Sequence, residues 1–294
     1  MELKIDIDDF RFRSESKRHI TDWPTRVPDF YKDNGDYKDA LESYREEIAD
    51  LQNMMYAHDK HAFLLIFQGM DTGGKDGAIK HVMSGINPSG VSVASFKKPS
   101  ELDLEHDWMW RCQSHFPERG RIAIFNRSYY EEVLVVKVHP EILKKGQRIP
   151  SEHLGDLDEV WKQRYSDIRN LEDYLHRNGT QVVKFFFHLG KEEQKSRLLE
   201  RINEPEKNWK MSIQDVAERQ HWDAYMDAYH DALTATHTSN SPWYVVPADD
   251  KKNARLIVSS ILLNHIRKLK MDYPEVSPEF RKEMQEAKRM LESE

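Results

Sequence analysis

One stretch constrains the fold of this chain more than any other. Ala62-Phe63-Leu64-Leu65-Ile66-Phe67 is a short, uninterrupted apolar run, and a glycine-rich turn closes it from Gly69. A strand buried on both faces reads this way, and such strands belong to parallel sheets covered by helices. The turn, Gly69-Met70-Asp71-Thr72-Gly73-Gly74-Lys75-Asp76, has the spacing G-x-x-x-x-G-K and leads straight into a helical pattern. Strand, glycine turn and helix in that order form the setting in which backbone N–H groups turn inward on phosphate oxygens. The helix N-terminus adds positive potential, and Lys75 supplies a mobile cation.

The rest of the chain repeats the alternation. Strands are predicted at 91–96, 121–125, 181–188 and 243–246. Helical patterns are predicted at 37–59, 75–84, 104–115, 129–136 and 152–177, with two more between 191 and 233. A further helix follows Asp249-Asp250 and runs to about residue 270, and Ser277-Pro278-Glu279 opens a charged one. Strands alternating with helices predict an α/β fold, a parallel sheet with helices on both faces. Residues 1–36 read as an arm, 37–270 as the body and 271–294 as a helical tail.

Composition removes several classes of function. Lys plus Arg is 44 against 51 for Asp plus Glu, a formal net charge of -7, where a general nucleic-acid binder carries a basic surplus. The one cysteine, Cys112, excludes intrachain disulfides and thiolate-rich zinc sites and fits a reducing compartment. The apolar run at 62–67 is too short to span a bilayer, and the first residues carry no signal-peptide pattern. A cytoplasmic protein without nucleic-acid or membrane partners is expected.

Two acidic residues depart from the common loop. Asp76 follows Lys75 where Ser or Thr ordinarily offers a hydroxyl to magnesium. It has the simpler role of meeting the helix dipole open to it. Asp71 lies inside an anion-binding turn, where a carboxylate is unfavourable unless a cation stands between it and the phosphates. Asp71 is therefore expected to meet Mg²⁺ directly or through water, with an Asx-type turn as the alternative.

The strand at 121–125 ends in Asn126-Arg127-Ser128. In phosphate-loop enzymes the second strand usually ends in an Asp that serves magnesium. Asn126 can still hold a metal-bound water, and Glu131, five residues on, can restore the missing charge. Arg127 points its fork at the same cleft, a geometry suited to phosphate oxygens. The competing assignment has Asn126 capping the next helix and Glu131 and Glu132 meeting its dipole.

At these residues the chain resembles the polyphosphate kinase 2 family. The resemblance runs in order from about residue 37 to 270. It is carried by Phe67 through Gly77, Ile79-Lys80-His81, Ser95-Phe96-Lys97-Lys98-Pro99, Trp110-Arg111 and Phe125 through Glu131. Arg201-Ile202, Asn208-Trp209-Lys210 and Trp243 through Lys251 continue it. It implies a phosphate-loop kinase with a helical lid that moves phosphoryl groups between inorganic polyphosphate and AMP, ADP, ATP or other nucleotides. Mg²⁺, or Mn²⁺ in its place, and a homodimer or homotetramer are implied as well. Asn126 with Glu131 resembles the class that phosphorylates both mono- and diphosphates. Gly73, where that class often has Ala, departs mildly.

On this reading Asp71, Lys75, Asn126, Arg127 and Glu131 are the catalytic set, with Asp71, Asn126 and Glu131 toward the metal. Phosphate contacts are expected from Gly73, Gly74, Lys75, Asp76, Gly77, Lys80, Lys97, Arg111, Arg127 and Arg201. Lys98 is a further candidate for the polyphosphate channel. The lid is expected at about 191–222, where seven basic and seven acidic residues give no net positive patch. Without the resemblance, the loop and lid fit an ATP-dependent nucleotide or small-molecule kinase equally well, and Asn126 with the missing Ser or Thr after Lys75 leaves a non-catalytic nucleotide- or polyphosphate-binding module open.

Overall fold

Alternation of side chains along the central strand organises the molecule. In a computed structural model that describes every residue except 1, 2, 4, 16 and 17, the apolar run becomes β1, Ala62–Gly69, buried throughout. Phe63, Leu65 and Phe67 enter one core, and Leu64 and Ile66 enter the other. Only a strand covered on both faces needs such a pattern.

The remaining elements run in chain order around it. Helix α1, Asn34–His58, precedes β1, and α2, Lys75–Val82, follows the glycine turn. Then come β2, Val91–Ser95; β3, Ile122–Asn126; α3, Leu157–Arg177; and β4, Thr180–His188. The lid segment holds α4, Lys191–Asn203, and α5, Ile213–Glu218. Helix α6, Trp222–Thr236, leads to β5, Trp243–Pro247, then α7, Lys251–Lys268, and α8, Pro278–Glu292.

All strand pairs are parallel, in the order β2-β3-β1-β4-β5. The order reverses beside β1, which is where open α/β sheets leave a crevice at the carboxyl ends of their strands. Helices α1, α2 and α7 cover one face, and α3 and α6 cover the other. The N-terminal arm seals the far edge: Arg11 bridges Tyr244 antiparallel, and Phe12 N donates to Trp243 O at 2.9 Å.

Three expected helices change shape. The first begins at Asn34, not Tyr37, because Asp33 accepts from the N–H groups of Gly35 and Asp36. The pattern at 104–115 breaks into two single turns, Glu101–Leu104 and Trp110–Gln113. Ser100 and Asp103 form a capping box that starts the first turn early, and Asp107 accepts from Met109 N in place of a helical carbonyl. The stretch 129–136 opens as a 3-10 turn, Tyr129–Val133, capped by Ser128. Leu134, at φ -111° and ψ -82°, interrupts it, and a single α-helical turn, Val135–Val138, follows.

Burial holds three histidines neutral. His188, His237 and His265 are each pushed down to about 4 from 6.5 by loss of solvent. Trp243 N donates to His237 Nδ1 at 3.1 Å, which requires that nitrogen to be unprotonated. Once unfolded, each ring binds a proton below its ordinary value, so unfolding takes up protons and stability is lost as pH falls toward about 4. Thermal unfolding is expected to show a falling midpoint between about pH 7 and pH 5. A flat profile over that range contradicts it.

Candidate active site

The turn after β1 is shaped by close approach. A Cβ on Gly69, at φ 147°, would lie 2.7 Å from the carbonyl oxygen of Phe187, so only glycine lets β1 end against β4. Gly74 takes φ 95° at the cap of α2, and Thr72 is left-handed at φ 64°. At Gly73 a Cβ would stand 2.9 Å from Met70 O, so alanine there requires the loop to shift. A side chain from the lid then fixes the loop. Buried Arg197 on α4 donates to Thr72 O at 3.0 Å, and to Ala248 O and Asp249 O at 2.7 and 2.9 Å. Gln194 donates to Asp71 O at 3.0 Å.

Lys75 opens α2 and is buried. Its ammonium donates to Gly69 O at 2.6 Å and Met70 O at 3.1 Å, which leaves one N–H for a ligand oxygen. Burial pulls its pKa down, and Arg127 reinforces that, against Asp71, Glu131 and Asp76. A lysine with a weakened hold on its proton gains most from an anion placed beside it.

Arg127 is the hub. Its backbone is left-handed at φ 62°, an uncommon state for a residue with a side chain, and such strain collects at working sites. Its guanidinium reaches Asp71 Oδ1 at 2.5 Å and Glu131 Oε2 at 3.5 Å. Burial raises the Glu131 pKa, opposed by Arg127 and Lys75. Gln68, turned so that its amide N–H faces Glu131 Oε1 at 2.9 Å, completes that carboxylate's surroundings. Asn126 donates to Asp76 Oδ1 at 2.5 Å, and Ser128, not Asn126, caps the next turn. Glu132 faces away, against Arg164 at 3.3 Å. The two neighbouring glutamates therefore serve different parts of the molecule.

These groups open into a cavity of about 840 Å³ between the loop and the lid. Gly73, Gly74, Lys75, Asp76 and Gly77 line it, together with Asp71, Asn126 and Arg127. Lys97 and Lys98 enter from the end of β2, and Arg201 from the lid, as expected. Two expected residues do not line it. Lys80 is exposed on α2, and Arg111 stands behind the wall, donating to Lys97 O at 2.7 Å. Glu131 reaches the cavity only through Arg127.

The charge of this cavity is the reverse of the chain's. Ten lysines and arginines line it against four acidic residues, in a protein of net charge -7. Lys207, Lys210, Lys251 and Arg255 were not among the predicted site residues. Arg255 lies one turn along α7 from Lys251, so the helical spacing held a signal for it. The even charge count of the lid is likewise sorted by geometry: Arg197, Arg201, Lys207 and Lys210 turn inward against Glu200 and Asp215. Asp215, held by Arg201 at 3.2 Å, has its pKa raised by burial and by Asp71 across the cavity.

The match to the model "Polyphosphate kinase 2 (PPK2)" extends over residues 31–274. The chain belongs to the polyphosphate kinase 2 family. It is 52% identical to the "ADP-polyphosphate phosphotransferase" of Rhodopseudomonas palustris over 98% of its length and 99% of that protein's. It is 42% identical to the "AMP/ADP-polyphosphate phosphotransferase" of Meiothermus ruber, over 81% of this chain and 84% of that one. The crystal structure of polyphosphate kinase 2 from Arthrobacter aurescens superposes with a TM-score of 0.84 at 34% identity, covering 94% of both chains.

For a polyphosphate kinase 2, the division between Lys75 and Lys80 is testable. Lys75→Ala and Arg127→Ala are each expected to lower turnover about 100-fold or more, the scale of removing one preorganised charge donor. Lys80→Ala, outside the cavity, is expected to leave turnover unchanged. Steady-state rates on folded variants check this, and equal losses at positions 75 and 80 contradict it.

Proposed function

We propose that the protein transfers phosphoryl groups from inorganic polyphosphate to nucleoside mono- and diphosphates, with the cavity between loop and lid holding donor and acceptor end to end. The observation that carries this reading is the cationic cavity: ten positive side chains around about 840 Å³ suit two polyanions better than one small substrate. Family membership and the names of the relatives support the polyphosphate donor.

Phosphoryl transfer asks for position and charge neutralisation. A terminal phosphate oxygen of the acceptor, already ionised at neutral pH, attacks the end phosphorus of polyphosphate in line. A new P–O bond forms, the bridging P–O bond breaks, and the shortened chain leaves with the electron pair. No general base is required. Lys75, the loop N–H groups and Arg127 neutralise the transferring group, and Lys97, Lys98 and the lid cations offset repulsion along the chain. Closure of the lid excludes water that would otherwise compete as acceptor.

Magnesium is part of the proposal. Among the described residues no group of three or more His, Cys, Asp or Glu side chains can hold a metal. What the site offers is Asp71, with Glu131 behind Arg127 and the amide of Asn126 beside Asp76. That set fits Mg²⁺, which uses one or two carboxylates and takes its other ligands from water and substrate phosphates. When bound there it supplies charge neutralisation, and Mn²⁺ suits the same oxygens. Asp71 would be its carboxylate ligand in place of its pairing with Arg127, which would leave the guanidinium for phosphate.

Both acceptors are assigned on the resemblance of Asn126 with Glu131 to the class that phosphorylates mono- and diphosphates, and the name of the Meiothermus ruber relative supports it. The name of the Rhodopseudomonas palustris relative favours ADP alone as a second reading. We further propose a homodimer or homotetramer in the cytoplasm. No helix among the described residues is long and apolar enough to cross a membrane.

Purified protein with long-chain polyphosphate, Mg²⁺ and either AMP or ADP is expected to form ATP without added nucleoside triphosphate. Transfer from ATP but never from polyphosphate refutes the donor. Chelation by EDTA is expected to abolish turnover and excess Mg²⁺ to restore it. Asn126→Asp is expected to shift the ratio of AMP to ADP turnover, and equal effects on both contradict the assignment of acceptors.

A further inference from the structure

Beneath the Arg127 turn lies a closed polar network that the transfer step does not use. Lys184 is the one charged residue of β4, and both it and Glu172 of α3 are fully buried. Lys184 Nζ donates to Glu172 Oε2 at 2.5 Å and to Thr236 O at 2.8 Å, and lies 3.2 Å from the Tyr130 hydroxyl. That hydroxyl is 2.8 Å from both Glu172 Oε1 and Thr236 Oγ1. Tyr129 donates to Glu172 Oε1 at 3.0 Å, and Trp243 Nε1 to Thr236 Oγ1 at 2.9 Å. The network thus ties α3, β4, the end of α6 and the start of β5 to two consecutive tyrosines.

Three facts set this apart from ordinary core packing. A buried ion pair is costly to desolvate, and a well-packed apolar pair of the same volume is often no less stable. Stability alone therefore does not account for it. Tyr129 and Tyr130 stand between Arg127 and Glu131, the two groups that face the loop. Arg127 is held at φ 62°, a conformation that persists only when its surroundings over-determine it. Ser128, which caps the turn by accepting from Tyr130 N, is itself buried, so the turn is gripped from below and from within.

We propose that Glu172 and Lys184 are positioning residues for phosphoryl transfer, holding the Tyr129–Tyr130 turn so that Arg127 and Glu131 face the phosphate loop. The pair gives that turn one orientation because a charged acceptor and a charged donor, both fully enclosed, accept no other arrangement of the tyrosine hydroxyls. Through Thr236 the same network reaches α6, the helix that follows the lid. The inference rests on the transferase reading above.

Two variants test it. Glu172→Gln with Lys184→Met removes both charges at similar volume, and Tyr129→Phe with Tyr130→Phe keeps the ion pair but removes both hydroxyls that tie the turn to it. In each, well below the melting temperature, kcat is expected to fall about tenfold or more with KM for polyphosphate and acceptor nearly unchanged, the mark of lost alignment. Amide hydrogen exchange of the unliganded variants is expected to quicken across 126–134. Parental kcat and parental exchange over 126–134, with only a lower melting temperature, overturn the proposal and leave the pair a structural one. If the variant lacking both charges does not fold, the variant lacking both tyrosine hydroxyls decides alone. If the parent itself makes no ATP, the transferase reading falls, and the exchange measurement still judges the positioning.

Discussion

Repulsion between two polyanions is the constraint on which the rest of this structure depends. Polyphosphate and a nucleotide can meet end to end only where positive charge is dense, and this chain is negative overall. The fold meets the constraint by concentration. It draws cations from the glycine loop, the β2 end, the lid and α7 into one cavity and leaves most acidic residues outside. Low-dielectric walls strengthen each of these charges relative to the same side chain on an open surface.

Such a cluster must be held against its own repulsion, and the four acidic residues serve that purpose. Asp71 meets Arg127, Arg201 leans on Asp215, Glu200 pairs with Lys207, and Asp76 takes the amide of Asn126, while Glu131 backs Arg127 from outside the cavity. Ligand phosphates compete for the same cations, so binding exchanges internal partners for external ones at little net electrostatic cost. Arg197 differs in kind. Besides Glu193 on its own helix, its donors go to three backbone carbonyls, and it fixes the loop to the base of the lid, so the lid's first helix and the loop are mechanically one piece.

Much of this was legible in the sequence, where local pattern and global fold agree. All five strands were predicted within a few residues, because β1, β3 and β5 are short apolar runs, β4 is one but for Gln181 and Lys184, and the edge strand β2 still alternates valine with serine. The loop announced itself through spacing and context. Lys80 was misplaced for a geometric reason: five residues past Lys75 on a helix is about 140° around the axis, which turns it from the loop toward solvent. Arg111 was half right, acting on Lys97 through its carbonyl. Lys207, Lys210, Lys251 and Arg255 were not singled out because spacing ties Arg255 to Lys251 and the lid lysines to Arg201, but only the topology brings the lid and α7 to the same cavity. The lid's neutral composition concealed an asymmetric distribution of charge that appears only once its helices have a face.

A crystal structure with polyphosphate, Mg²⁺ and a non-reactive nucleotide analogue tests the central claim most directly. It is predicted to show a phosphate chain running from Lys97 and Lys98 to the loop at Gly73–Lys75, with Arg127 turned from Asp71 to the phosphate nearest the acceptor. Polyphosphate bound on another surface, with this cavity left empty and Arg127 still paired to Asp71, contradicts the account.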